Sequence, residues 1–103
     1  MFGSSFRLRP RPGQEGQLLA QLADVRRGSA PASDGFIGAY ILRPHDRPGE
    51  LIGLVIFESE AAYYRNAADP DQDRRYLQWR PLLESEPTWD DGPIDVFLPD
   101  ESA

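Results

Sequence analysis

Five side chains between residues 63 and 80 have the types and spacing to build a small-molecule site: Tyr63, Asn66, Tyr76, Trp79 and Arg80. Tyr63 and Asn66 are three residues apart, as are Tyr76 and Trp79, a spacing that places two side chains on one side of a helix. Aromatic rings would supply flat apolar walls, and an amide and a guanidinium the few polar groups that orient a ligand. Asn66 can hydrogen-bond a carbonyl or a hydroxyl but cannot titrate near neutral pH. Arg80 could stabilise a developing enolate, and a tyrosine hydroxyl would be the natural proton relay. An aromatic stripe at helical spacing is also the ordinary mark of a packed core. Two features weigh toward a pocket. Tyr63, Tyr64, Tyr76, Trp79 and Trp89 crowd into one segment of a small chain, and buried tyrosine and tryptophan need polar partners such as Asn66 and Arg80.

Composition removes several chemistries. The chain has no cysteine, hence no disulfide, no thiolate nucleophile and no cysteine-bound metal. Its one histidine, His45, lies beside Asp46 in a proline-rich stretch that reads as a solvated turn. All eleven basic residues are arginine, so no lysine can form a Schiff base or act as a general base. Asp90-Asp91-Gly92 resembles a turn more than a metal site, because no further carboxylates stand at ligand spacing. Ser4 and Ser5 have no histidine near them in sequence for a nucleophilic triad. No metal and no cofactor is expected. A net charge of −6 disfavours nucleic acid and anionic membranes as partners. The longest apolar run, Leu51 to Phe57, is too short to span a bilayer, and the N-terminus lacks the pattern of a signal peptide. A cytoplasmic protein is the expectation.

The elements that must position these residues follow from periodicity and breakers. Residues 1–103 read as one domain, with an acidic tail at 99–103. A strand is expected over Gly3–Arg9, then a helix over Gly13–Arg27 with Leu18, Leu19, Leu22 and Val25 on one face and Gly28 as its stop. Strands over Gly35–Leu42 and Glu50–Glu58 flank the hairpin loop RPHDRPG. Ser59 caps one helix, and Asp69-Pro70 opens a second, with Gln72 at the position of a capping-box partner. Pro81 should bend or end that helix, and a last strand is expected over Ile94–Leu98.

The order β-α-β-β-α-β, with its second helical region split in two, predicts an α+β ferredoxin-like sandwich on an antiparallel sheet. Both faces of the middle strands are apolar. Phe36 and Tyr40 are expected opposite Ile37, Ala39 and Ile41, and Leu51, Val55 and Phe57 opposite Ile52, Leu54 and Ile56. Right-handed crossovers put all helices on one side, leaving an apolar face for which the simplest cover is the same face of a second copy. A homodimer through the open sheet face is therefore predicted.

The chain resembles the antibiotic biosynthesis monooxygenase family of the dimeric α/β-barrel superfamily. The apolar strand followed by Ser59-Glu-Ala-Ala62, Asn66 and Asp69-Pro70 is similar to the family's strand and Ser-x-x-Ala-x-x-x-His-x-x-Ser-Pro pattern. Arg9-Pro-x-Pro-Gly13 before a helix and Gly35-Phe36 entering a strand add to the likeness. The resemblance implies a dimeric α/β barrel with a pocket between sheet and helices in each subunit. It also implies oxygen chemistry on aromatic polyketides or quinols without metal or flavin, with the substrate's own carbanion reducing oxygen. Asn66 stands where many relatives carry a pocket histidine, which removes an acid/base role there. The haem-degrading branch has a strand-1 asparagine where this chain has Phe6, and a helical histidine that this chain lacks, so haem degradation is not expected. A cofactor-independent monooxygenase acting on a small aromatic molecule is the first expectation. A non-catalytic dimer that binds a small molecule or a partner is the second, and an isomerase on the same fold remains open.

Overall fold

The computed structural model describes residues 1–27 and 35–97, so Gly28, the loop at 29–34, Leu98 and the tail at 99–103 lie outside the described residues. β1 (Phe2–Leu8) turns Phe2, Ser4, Phe6 and Leu8 to one side and Gly3, Ser5 and Arg7 to the other. It pairs antiparallel with β3 (Leu51–Phe57) on one edge and with β4 (Thr88–Pro93) on the other. β2 (Phe36–Leu42) adds to the far side of β3, giving the order β2-β3-β1-β4. This is a ferredoxin-like α+β fold.

α1 (Glu15–Arg27) seats Leu18 in the core, with Leu19 and Leu22 packed against it. α2 (Glu60–Ala67) starts where the Ser59 hydroxyl accepts the Ala62 N–H at 3.1 Å. α3 (Pro70–Trp79) starts where Asp69 accepts the Asp71 N–H at 3.0 Å, with Pro70 in its first turn. A short 3-10 turn, Arg80–Leu82, follows directly. Pro81 has no N–H to continue the α-helical ladder, so the expected break falls at this turn. Arg11 N–H donates to Leu82 O at 2.7 Å and Glu84 N–H to Arg9 O at 2.8 Å, tying the end of the helical region to the end of β1.

Phe6, Leu8, Leu18, Leu51, Trp79 and Leu83 form the buried core between this face and the helices. Phe6 needs a glycine beneath it: a Cβ on Gly53, its partner across the β1–β3 ladder, would lie 2.2 Å from the ring.

Two expectations need correction. The last strand is Thr88–Pro93, not Ile94–Leu98; Ile94 still donates its N–H to Met1 O at 2.8 Å, but residues 94–97 form no strand. Edge pairing with β1 overrides the poor strand propensity of TWDDGP, and an edge is where Gly and Pro are tolerated in a sheet. Phe36 and Tyr40 also lie on opposite faces. Phe36 pairs with Phe57 but Gly38 with Ile56, so Ile37 is an extra bulged residue and the alternation flips there. Phe36 joins Ala39 and Ile41 on the helix side, while Tyr40 and Leu42 lie beside Ile52, Leu54 and Ile56 on the other face.

That second face is apolar across β2 and β3, with Tyr40 59%, Leu42 62% and Leu54 36% exposed. Among the described residues no helix is long and apolar enough to cross a membrane.

Gly53→Ala should destabilise the fold by about 1–3 kcal/mol in urea unfolding, through displacement of the Phe6 ring. The penalty should shrink in a Phe6→Leu background. An equal penalty in both backgrounds would show that the ring is not what confines Gly53.

Candidate functional site

The strand register stacks the helix-side residues in rows: Phe57, Phe2 and Pro93; then Val55, Ser4 and Asp91; then Gly53, Phe6 and Trp89. Two aromatic groups therefore flank one polar row. At the α2 end, the Tyr63 ring lies 5.1 Å from Phe2, 5.7 Å from Phe57 and 5.2 Å from Tyr64. At the α3 end, Tyr76 lies 4.9 Å from Trp79 and 6.5 Å from Trp89, and Trp89 lies 5.0 Å from Phe6.

Between the groups sits Ser4, only 3% exposed, which donates to Asp91 Oδ1 at 2.5 Å. The Tyr63 hydroxyl donates to Asp91 Oδ2 at 3.1 Å. A buried hydroxyl needs a partner, and Asp91 supplies it from the neighbouring strand while its exposed carboxylate also holds the phenol. Burial pushes the Tyr63 pKa above its ordinary 10.0; the Ser4 hydroxyl opposes this, and the Asp91 charge and hydrogen bond reinforce it. Tyr63 is thus held as a neutral hydrogen-bond donor through the physiological range.

The five residues singled out in the sequence fall into two sets. Tyr63 and Asn66 are half-buried one turn apart on α2. Tyr76 and Trp79 touch on α3, and half-buried Arg80 begins the turn after it. Trp79 is 7% exposed and belongs to the core, leaving half-buried Tyr76 to reach toward Trp89. Among the described residues no ring contact joins Tyr63 to Tyr76. In the sequence Ser4 is a serine without a nearby histidine and Asp91 part of a turn-like Asp-Asp-Gly, and neither points to the site. Only the alternation of Trp89 and Asp91, taken as a strand, would have put both in the site.

A cleft of about 470 Å³ opens between the end of β1 and the β2–β3 hairpin, lined by Arg9, Arg47, Glu50 and Glu84 among others. Arg47 lies 3.6 Å from Glu50 and 3.7 Å from Asp46, so its charge is already matched within the hairpin, and none of the five residues reaches this cleft. His45 is exposed in the same hairpin loop. Among the described residues no three His, Cys, Asp or Glu side chains gather to hold a metal ion.

The raised phenol pKa carries a stability consequence. Its contribution is present below the unfolded value of 10.0 and is lost as pH rises through the folded value. With ring-labelled tyrosine, the Tyr63 Cζ resonance should titrate with a midpoint above 10.0, and Asp91→Asn should lower that midpoint. An unchanged midpoint in the variant would contradict the contact.

A family model described as antibiotic biosynthesis monooxygenase matches residues 1–77, most of the chain. No curated protein matches it. Among solved structures, Rv0793 from Mycobacterium tuberculosis is 24% identical, with TM-score 0.75, covering 91% of this chain and 95% of that one. SnoaB from Streptomyces nogalater, a cofactor-independent oxygenase solved as a point mutant, is 16% identical, with TM-score 0.76 and coverage of 94% and 97%. A Caulobacter crescentus CB15 protein assigned to the antibiotic biosynthesis monooxygenases is 13% identical, with TM-score 0.80 and coverage of 91% and 90%. At these identities the structural likeness shows the fold alone. The family match spans β1 through most of α3, the elements that carry Ser4, Tyr63, Asn66 and Tyr76, and the chain belongs to the antibiotic biosynthesis monooxygenase family.

Proposed function

We propose that the protein is a monooxygenase that needs no metal or flavin and oxidises a flat aromatic or quinol-like molecule bound between helices and sheet. The observation that carries this is the polar row of Ser4, Asp91 and Tyr63 set between two aromatic groups, open to solvent at Asp91 and Trp89. The family match and the likeness to a cofactor-independent oxygenase support it. Tyr76, backed by the buried Trp79, forms one wall and Tyr63 the other, Asn66 orients a carbonyl or hydroxyl, and Arg80 stabilises enolate charge. In such a reaction an activated CH2 carbon of the substrate loses a proton and its carbanion passes electrons to O2. A C–O bond forms, the peroxide anion takes back a proton to give a hydroperoxide, and loss of water leaves a ketone. One oxygen atom ends in the product, the other in water, and the substrate is the only reductant.

The same reading includes a homodimer. Tyr40, Leu42 and Leu54 leave an exposed apolar sheet face on the side away from the helices, and the same face of a second copy would bury it. The mass in solution should be twice the 11.6 kDa of one chain, and Leu54→Glu should yield monomers. A wild-type monomer at micromolar concentration would remove the dimer.

Oxygen uptake with anthrones and hydroquinones as substrates, with and without chelator, tests the activity. Chelator-resistant uptake is expected, lowered on the order of tenfold or more in folded Asn66→Ala and Tyr76→Ala variants, because a misplaced substrate reacts slowly. The burial of Trp79 in the core favours a second reading, in which the aromatic residues serve packing alone and the dimer is not a catalyst. No uptake, and no thermal shift with any of these compounds, would establish that reading instead.

A further inference from the structure

β4 is an edge strand, paired with β1 along one side. On its inner, helix-facing side α2 meets it through Tyr63 at Asp91 and α3 through Tyr76 at Trp89. Trp89 and Asp91, two residues apart on the strand, project from this inner side as neighbours, and both are exposed, Trp89 to 45%. Tyr63 bounds the opening beside Asp91, and Tyr76 bounds it beside Trp89. One face of the fold thus offers an indole next to a carboxylate, between two tyrosines.

The two hydrogen bonds on Asp91 fix its orientation without exhausting it. Each oxygen accepts one, from Ser4 and from Tyr63, and a carboxylate has about four acceptor positions. Asp91 is exposed, so the acceptor positions that these two donors leave are accessible to a ligand. A ligand there meets acceptor oxygens and negative charge, so a carboxylate or phenolate is repelled and a neutral donor is favoured.

We propose that Asp91 sets ligand specificity, its carboxylate accepting a hydrogen bond from the hydroxyl of a neutral hydroxyarene whose ring lies against Trp89. This role rests on the small-molecule site proposed above. Asp91 is here a binding residue, and its contacts with Ser4 and Tyr63 are what aim it. If Asp91 served only to satisfy the buried Ser4 hydroxyl, its loss would weaken the fold and leave ligand preference untouched.

The test compares 2-naphthol, 2-methoxynaphthalene and 2-naphthylmethylammonium near neutral pH, with binding to the full chain followed by tryptophan fluorescence and equilibrium dialysis. The wild type should bind the naphthol on the order of tenfold more tightly than its methyl ether, since only the naphthol can donate to a charged acceptor. Asp91→Asn should reduce that preference several-fold. The double variant Ser4→Ala/Asp91→Ala, which removes the buried hydroxyl along with its partner, should bring the two ligands to within about twofold. Equal wild-type binding of naphthol and ether, or a preference undiminished in either variant, would overturn the role of Asp91 while leaving the site itself in place. Tighter binding of the ammonium would reassign the opening to cations. Binding of none of the three would overturn the site and the role together. Should neither variant fold, the wild-type comparison of naphthol with ether decides.

Discussion

A hydroxyl buried in the middle of an apolar sheet face must be given a hydrogen-bond partner, and much of this structure is arranged around that need. Ser4 sits on the central strand β1, with the Phe2 row on one side and the Phe6 row on the other. Its partner is Asp91, directly across the ladder on the edge strand β4. The same carboxylate takes the Tyr63 phenol from α2, so one residue couples the central strand, the edge strand and the covering helix. Bringing a carboxylate onto an otherwise aromatic surface creates the polar centre from which any chemistry of the site would start.

The sheet divides its labour between faces. On the helix side, Phe6 lies over Gly53 and fills the core with Leu8, Leu51 and Trp79, while Trp89 and Asp91 on β4 stay exposed. On the other side, β2 and β3 present Tyr40, Leu42, Ile52, Leu54 and Ile56 as one apolar sheet surface. The bulge at Ile37 makes this division possible. Without it, Phe36 would share a face with Tyr40 and would not reach Phe57, 5.7 Å away, and through it the Tyr63 group.

The parts of the fold legible in the sequence were those governed by local chemistry. Ser59 and Asp69-Pro70 mark both helix starts because a side-chain acceptor before an orphan N–H is a short-range rule, and each makes the bond expected of it. The unbroken apolar run Leu51 to Phe57 announced a strand with two apolar faces, and the structure buries the one that carries Leu51, Gly53 and Phe57. Long-range pairing was not legible. Thr88–Pro93 has the composition of a loop and becomes a strand only because β1 offers a free edge, so the apolar IDVF segment after it drew the expected strand too far toward the C-terminus. Asp91 was hidden by that shift. Once the strand is misplaced, a carboxylate aimed onto the helix side reads as a turn residue, and Ser4 has no visible partner. Helical spacing placed Tyr63 and Asn66 one turn apart on α2 and Tyr76 beside Trp79 on α3, where they lie; the groups that join these elements to β4 were not legible.

The claim on which the rest turns is that small aromatic molecules enter over β4 on the helix side. Intermolecular NOEs between 2-naphthol and the protein, with tryptophan and tyrosine rings labelled, test it most directly. Contacts from the ligand to the Trp89 indole and the Tyr63 ring are expected. Contacts confined to Tyr40 on the opposite sheet face, or to the cleft at Arg9 and Arg47, would contradict it.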